Sequence, residues 1–410
     1  MQIEFFIYFE LCVALICLCS AGYLMFALFA VERFNYVRKR SISTINFQPA
    51  VSILKPICGL DAELIKNLRS FCQQDYPVYQ IIFGLHSKSD PAFPIVKKII
   101  KEFKKLDISY VLDSHVYGCN YKVSNLINMY PTAKHNYLLI ADSDMRVSPN
   151  YLSDLMSPFD DTSVGAVTSL YSGSARGKLA SSLNAMFINE WFIPSVLISK
   201  ILRPIKFCLG ATMIVRRDLL KRIGGFKSLS NYLADDYMLG KLISELGYKI
   251  HLSNLIVENI VEEKSFKDLI LHELRWARTL RRVEPLGYFF TFLTDTLVIS
   301  GVTAIIFYTS TQNVGLLLLP ILLVLLTRII LHIRTKQITG SSRGGSVWLI
   351  PLRDILSFSI RVFSFIGTSI QWRNNAFNVD RSGLIHAEKK LLIESDSVKD
   401  IPDLATSQDY

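Results

Sequence analysis

The chain has 410 residues, half of them hydrophobic, and its 45 Lys and Arg against 35 Asp and Glu give a formal charge of +10. A mean hydropathy of +0.31 excludes a wholly water-soluble globule, and the basic residues cluster beside apolar segments rather than between aromatic ones, which points the charge at a membrane face and away from nucleic acid. The seven cysteines include no C-x-x-C and no Cys/His pair at zinc spacing, so reduced thiols are expected in place of a disulfide framework or a structural zinc.

Residues 5–31 are an apolar run of 27 residues holding one acid, Glu10, and Arg33, Arg38, Lys39 and Arg40 follow it. That length and basic flank predict a transmembrane anchor whose carboxyl end is cytoplasmic. The first ten residues carry no positive side chain, and the run is too long for a cleaved signal. Beyond a polar linker, strands are expected at 51–56, 80–85, 108–113, 137–142, 164–170 and 211–217, with helices at 63–73, 95–105 and 232–246. The alternation predicts an α/β fold with a mostly parallel, doubly wound sheet. Residues 179–202 are helical in length and aromatic, either an ordinary buried helix or one lying at the bilayer surface. Two further spans are expected at 288–310, which contains Asp295, and at 314–333, after which Arg334 and Lys336 return the chain to the positive side. Residues 347–370 have spanning length but hold Arg353, Asp354 and Arg361, so a third span and an interfacial helix both remain open. The tail from Glu388 reads as disordered, without chemistry.

The chemistry concentrates in residues 137–147, YLLIADSDMRV. A buried strand there delivers Asp142 and Asp144 to its carboxyl end, where parallel sheets bind ligands, and side chains at i and i+2 can converge on one cation. An Asp-rich surface turn is the alternative. Further along stand Asp90, then Asp235-Asp236, then His272-Glu273-Leu274-Arg275-Trp276. Sugar transfer from a nucleotide donor needs a cation or basic group to neutralise the leaving diphosphate, and a carboxylate to take the acceptor proton. The Asp pair supplies the first. A carboxylate opening a helix supplies the second and is kept ionised by the positive helix end. Arg275 offers a planar fork for phosphate oxygens, and Trp276 a face for a sugar ring or apolar acceptor. Asp235 reads as a cap or a metal-site neighbour, Lys122 and Asn125 as possible loop formers, Asp295 as a snorkelling or paired acid, and Gly118, Gly210 and Gly224-Gly225 as backbone necessities. No P-loop and no G-x-G-x-x-G is present, which argues against an ATPase or a dehydrogenase.

From Val51 to Arg381 the chain resembles the ceramide glucosyltransferase family, membrane-bound inverting enzymes with a GT-A fold, related more distantly to processive polysaccharide synthases. The resemblance rests on Lys55-Pro56, S-D-P at 89–91, N-Y-K-V-S-N-L at 120–126, D-S-D-M-R-V, A-D-D-Y at 234–237 and the R-W pair. It implies that Pro56, Asp90 and Lys122 contact the nucleotide, that Asp142 and Asp144 hold a divalent cation (Mn or Mg) and the diphosphate, that Asp236 is the base, and that Arg275 and Trp276 complete the site. The family's last motif usually carries Gln or Arg where this chain has His272, which reads here as a locally bonded histidine. The ceramide branch tends to carry Asp-Ser-Gly where this chain has Asp142-Ser143-Asp144. In that respect, and in INEWFIPSVL, FCLGATM, LADDYMLG and HELRWARTLR, the chain looks closest to a bacterial branch associated with hopanoid biosynthesis.

The resemblance therefore implies a UDP-sugar donor, either UDP-N-acetylglucosamine or UDP-glucose, and a membrane-lipid acceptor, bacteriohopanetetrol or ceramide. The expected organisation is an anchor at 1–40, a cytosolic GT-A domain at 41–287, a membrane region at 288–370 and a polar tail at 371–410. The expected setting is a multi-pass protein of the bacterial inner membrane with its catalytic domain in the cytoplasm. A processive polysaccharide synthase and a non-catalytic nucleotide-sugar-binding membrane protein are the alternatives.

Overall fold

A computed structural model describes residues 2–40, 47–341, 343–367, 369–372, 375–380 and 383–387. Eight strands make the central sheet: β1 Val51–Pro56, β2 Tyr79–Leu85, β3 Asp107–Leu112, β4 Tyr137–Ala141, β5 Met145–Arg146, β6 Val164–Ala175, β7 Thr212–Arg216 and β8 Lys249–Val261. Their order is β3-β2-β1-β4-β7-β6-β8-β5. The β3-β2-β1-β4 half is parallel, as the alternating apolar and helical runs require, and β6 and β8 are also parallel. β7 runs antiparallel to both β4 and β6, and β5 antiparallel to β8, so the sheet is mixed and mostly parallel rather than uniformly doubly wound. The long β8 was not expected, because KIHLSNLIVENIV mixes polar residues into the run and has neither clean alternation nor a continuous apolar core.

β1 and β4 are neighbours with Leu54 opposite Ile140, so their carboxyl ends lie side by side. Both strands are buried almost throughout, consistent with their apolar runs. The helix Tyr121–Met129 is capped by Asn120, whose side chain accepts from the Val123 amide. The same Asn120 donates to the Tyr232 carbonyl and to Asp235, which fastens this helix to the start of the helix Asp235–Glu245. Gly240 lets the latter approach closely, because a Cβ there would lie 2.4 Å from the Phe207 Cα.

Among the described residues three helices are long and apolar enough to cross a membrane: Glu4–Arg40, Leu179–Leu202 and Val314–Thr339. The first and last are mostly exposed, whereas half of the middle one is buried. It packs on β6 and on the first helix, with Tyr23 and Ser195 sharing a hydrogen bond of 3.4 Å. It is irregular at its middle: a π-helical segment, Ile188–Phe192, interrupts it before Pro194. The expected single span at 288–310 is instead a pair, Pro285–Thr294 and Thr296–Thr311, bent by 59°. The break falls at Asp295, whose carboxylate turns to Arg361 at 2.8 Å. Neither a third span nor any spanning length is built from residues 347–370. The helix there, Ile350–Ser364, has 15 residues, about 22 Å at 1.5 Å per residue, which is short of a bilayer core of roughly 30 Å. It exposes Leu352, Ile355, Phe358, Val362 and Phe363 and buries Arg353, Asp354 and Arg361.

Those three buried charges are all paired. Arg353 makes a bidentate bond to Glu273 (2.6 and 2.7 Å), Asp354 binds Arg328 (2.7 and 3.0 Å), and Arg361 binds Asp295. Short strands β9 Ser369–Trp372, β10 Asn375–Val379 and β11 Ile385–Ala387 follow, so the stretch expected as a polar tail from 371 is structured in part. It is held by the Ile385 amide donating to the Asn231 carbonyl and by Phe377 and Ile385 packing with Leu233. The tail from Glu388 lies outside the described residues.

Removing one partner of a buried pair leaves a stranded charge, which costs about 3–5 kcal/mol, whereas replacing both with apolar groups is close to neutral. Glu273→Ala is therefore expected to lower stability by that amount in detergent-based thermal or denaturant unfolding, and Glu273→Leu with Arg353→Met to recover most of it. A single-variant loss below about 1 kcal/mol would show that the pair does not hold these helices together.

Candidate active site

β1 ends at Pro56 and β4 at Ala141, and the chain beyond each turns into one cleft of about 1760 Å³. Pro56, Lys122, Asp142, Asp144, Asp236, Arg275 and Trp276 all line it. Asp90 does not. Its carboxylate accepts from the Gly59 amide (2.9 Å) and the Ala92 amide (2.8 Å), tying the loop after β1 to the loop after β2.

Asp142 is held from two directions. Its side chain pairs with the Lys122 amine at 2.6 Å, and its backbone carbonyl accepts a 2.5 Å hydrogen bond from the Lys55 amine. Lys55 is fully buried, its ammonium 3.7 Å from the centre of the Phe71 ring. Burial pushes the Lys55 amine down to about 7 against the pull of Asp144, Asp142 and Asp61. For Lys122 burial acts in the same direction, but Asp142 and Asp235 outweigh it and hold the amine above its ordinary value. Sequence reading placed Lys55 in a motif but gave it no task, since a lysine ending a strand carries no mark of being buried.

Asp144 is pushed up to about 7 by burial first and then by Asp142 and Asp61. Its Oδ1 is a buried acceptor with no hydrogen-bond partner. An orphaned carboxylate oxygen beside two further acids suits a divalent cation, which would restore its charge. Among the described residues no three His, Cys, Asp or Glu side chains are placed to enclose an ion. Asp142 and Asp144 fit a cation that takes its remaining ligands from diphosphate and water, the usual habit of hard divalent ions at phosphate sites.

Asp235 and Asp236 open the helix Asp235–Glu245, but neither caps it: the N-cap position is Ala234, with no side-chain bond. Asp235 is buried and bonded to Asn120 at 3.3 Å. Asp236 accepts from the Tyr237 amide at 2.8 Å and lies against Gly210, where a Cβ would stand 3.0 Å from its Oδ2. The Tyr237 amide at the helix end favours the ionised form of Asp236, and burial works against it. Burial, and Asp235 beside it, push the carboxyl up to about 6. Tyr171 on β6 was also missed, because within VGAVTSLY it reads as one more apolar strand residue. Its ring lies 4.6 Å from that of Phe192, tilted by 35°, and its phenol is held well above the ordinary value by burial, Asp236, Asp142 and Asp144.

Arg275 and Trp276 come from the helix Phe266–Val283, capped by Ser265, which accepts from the Asp268 amide. Trp276 lies among Phe187 (5.9 Å), Phe192 (6.3 Å) and His272 (5.2 Å). His272 does bond locally, to Glu263 at 2.7 Å. Candidate spans also line the cleft: Tyr23 from the first, and Leu293 and Thr294 from the first member of the bent pair.

Among solved structures, the mannosyltransferase PcManGT from Pyrobaculum calidifontis in complex with GDP-Man and Mn2+ superposes with a TM-score of 0.50 at 14% identity, covering 86% of this chain and 99% of that one. The fold is of the GT-A type, a mostly parallel mixed sheet with apolar helices before and after it in the chain. Residues 12–385 match the model of Glycosyl transferase family 21, and the chain belongs to that family. Ceramide glucosyltransferase 3 of Caenorhabditis elegans is 26% identical over 82% of this chain and 74% of its own length. Ceramide glucosyltransferase 1 of the same organism is 26% identical over 50% of this chain, a match spanning 44% of that relative. The ceramide glucosyltransferase of Komagataella phaffii is 36% identical over 25% of this chain and 21% of its own.

If Asp144 is the carboxylate that a cation needs, Asp144→Asn should weaken Mn2+ binding at least about tenfold, as read by electron paramagnetic resonance of the free ion in the presence of UDP. Unchanged Mn2+ affinity would remove this residue from the cation site.

Proposed function

We propose that the protein is a membrane-bound, inverting glycosyltransferase that moves a hexose from a UDP-sugar, UDP-N-acetylglucosamine or UDP-glucose, to a hydroxyl of a membrane lipid. Bacteriohopanetetrol or ceramide is the acceptor, and Asp144 in place of the ceramide branch's glycine favours the hopanoid. The observation that carries this reading is that one continuous cleft is lined both by carboxylates and Lys122 and by side chains of the candidate spans, Tyr23 among them. Residues 41–287 then form a cytosolic catalytic domain, with 1–40 and 288–370 in or on the inner membrane of a bacterium. Among the described residues no more than four helical units have the length and apolarity to span, which suits delivery of one sugar to a lipid better than export of a polymer.

In this mechanism Asp236 receives the proton of the acceptor hydroxyl, and the freed oxygen attacks the anomeric carbon from the side opposite the diphosphate. The bond from that carbon to the diphosphate oxygen breaks in the same displacement, inverting the centre and releasing UDP. Asp142 and Asp144 would hold a divalent cation, whose charge would offset that of the leaving diphosphate. Lys122 holds Asp142 in position, and Arg275 supplies a second positive group toward phosphate oxygens. A base near pH 6 is well matched to neutral conditions, being mostly ionised yet still basic enough to take a proton.

Membranes incubated with labelled UDP-sugars and extracted with organic solvent test the class: labelled lipid supports it, insoluble polymer favours a synthase, and no product a binding protein. Asp236→Asn should cost about 10²–10⁴ in kcat without change in melting temperature. Because the base works in its ionised form, kcat/KM should be flat above pH 7 and fall about tenfold per pH unit below about 6. A profile flat down to pH 4.5, or near-normal turnover by Asp236→Asn, would exclude Asp236 as the base.

A further inference from the structure

Glu263 and His272 sit in the cleft, and the mechanism above uses neither. Glu263 follows the end of β8 and is fastened from three sides. Its amide donates to Ser181 Oγ (2.9 Å), and its Oε1 accepts from Asn184 Nδ2 (2.6 Å) and from His272 Nδ1 (2.7 Å). Asn184 is 2% exposed, and the Glu263 side chain 10%, so the anchor of this trio is buried. The His272 side chain is 33% exposed, enough to reach a ligand. A carboxylate on Nδ1 fixes the ring's orientation and leaves Nε2 as its remaining hydrogen-bonding atom.

The surroundings say which ligand. His272 stands edge-on to Trp276 (89°), which lies beside Phe187 and Phe192, while Phe187 stacks 4.9 Å from Trp191. Trp191 in turn bonds Thr294 at the membrane side. The pair thus closes the end of an aromatic shelf that runs toward the spans. An aromatic shelf takes a carbon skeleton, and a histidine nitrogen at its end takes a hydroxyl, which can donate to it or accept from it. Glu262 and Glu263 line the same wall, and their like charge steers the donor's phosphates away, toward Lys122.

We infer that the Glu263–His272 pair binds a hydroxyl of the acceptor's polar head other than the one that is glycosylated, so that the preferred acceptors are lipids with more than one hydroxyl. This rests on the lipid-acceptor reading above. His272 is a specificity determinant for that second hydroxyl, and Glu263 and Asn184 are positioning residues that hold its ring.

The experiment compares acceptors that differ by such hydroxyls: bacteriohopanetetrol against a hopanol with one hydroxyl, and ceramide against 3-deoxyceramide. The wild type should favour the richer member of whichever pair it uses. His272→Phe should cut kcat/KM on that member by roughly 10- to 100-fold and leave the poorer member within about twofold, while His272→Gln, which keeps an amide to bond both sides, recovers most of the loss. If His272→Phe fails to fold, the isosteric Glu263→Gln carries the same comparison. An equal loss on both members, or no loss, overturns the inference while leaving the proposed function intact. Absence of lipid product from wild-type enzyme with all four acceptors overturns the proposed function, and this inference with it.

Discussion

A single amine separates the acids on which this site depends. Lys122 touches Asp142 and feels Asp235 and Asp236, in a cleft where burial works against the charged forms of Asp144, Asp235 and Asp236. Without a cation between them, charges this close would protonate in turn, and the site would lose both its diphosphate anchor and its base. The geometry that keeps the amine there is built by Asn120. As the cap of the helix carrying Lys122, and as donor to Asp235 and the Tyr232 carbonyl, it fixes the distance between the basic helix and the acidic one. Lys55 acts from the neighbouring strand β1, fixing the Asp142 backbone rather than its side chain.

The same logic, charge buried only where it is paired, joins the catalytic sheet to the membrane helices. The helix Ile350–Ser364 turns an apolar face outward and sends Arg353, Asp354 and Arg361 inward to three different elements. Glu273, the partner of Arg353, lies two residues before Arg275 on the helix that carries the R-W pair. The position of a surface helix is therefore tied to the position of two cleft residues. Pairing of this kind adds little net stability against an apolar alternative, but it penalises any arrangement in which one partner is misplaced.

Much of this was legible in the residues, and the failures have physical causes. YLLIA announces a buried strand because five apolar residues stop at an acid, and D-S-D, A-D-D-Y and R-W fall in the order in which the chain meets the cleft. What the pattern could not carry was strand direction. β7 looks like any other apolar run, and only its pairing between β4 and β6 reveals that it is reversed. Nor does sequence say which polar residues a fold will bury. Lys55 and Tyr171 ride on strands, and Asp90, aligned by motif with the nucleotide, spends its carboxylate on two backbone amides. Strands β10 and β11 were hidden because what holds them lies far away in the chain: residues 383–385 bond to residues 231–233, and Phe377 packs on Leu233.

The wall on which the acceptor would lie owes its shape to a defect in a helix. Between Phe187 and Ile193 the chain winds as a π-helix, and Pro194 follows at a position where no amide is needed. The wider turn brings Trp191 into a stack with Phe187 and lets Phe192 reach both Tyr171 and Trp276. Such a turn is costly by itself, and at its centre stands a buried acid, Glu190. His332 at 2.6 Å and Arg328 at 3.3 Å, both from the last long span, meet that carboxylate. The span thus compensates the charge that the defect introduces, and the defect in turn gives the cleft its aromatic floor. A chain that lost the span would lose the floor before it lost the sheet.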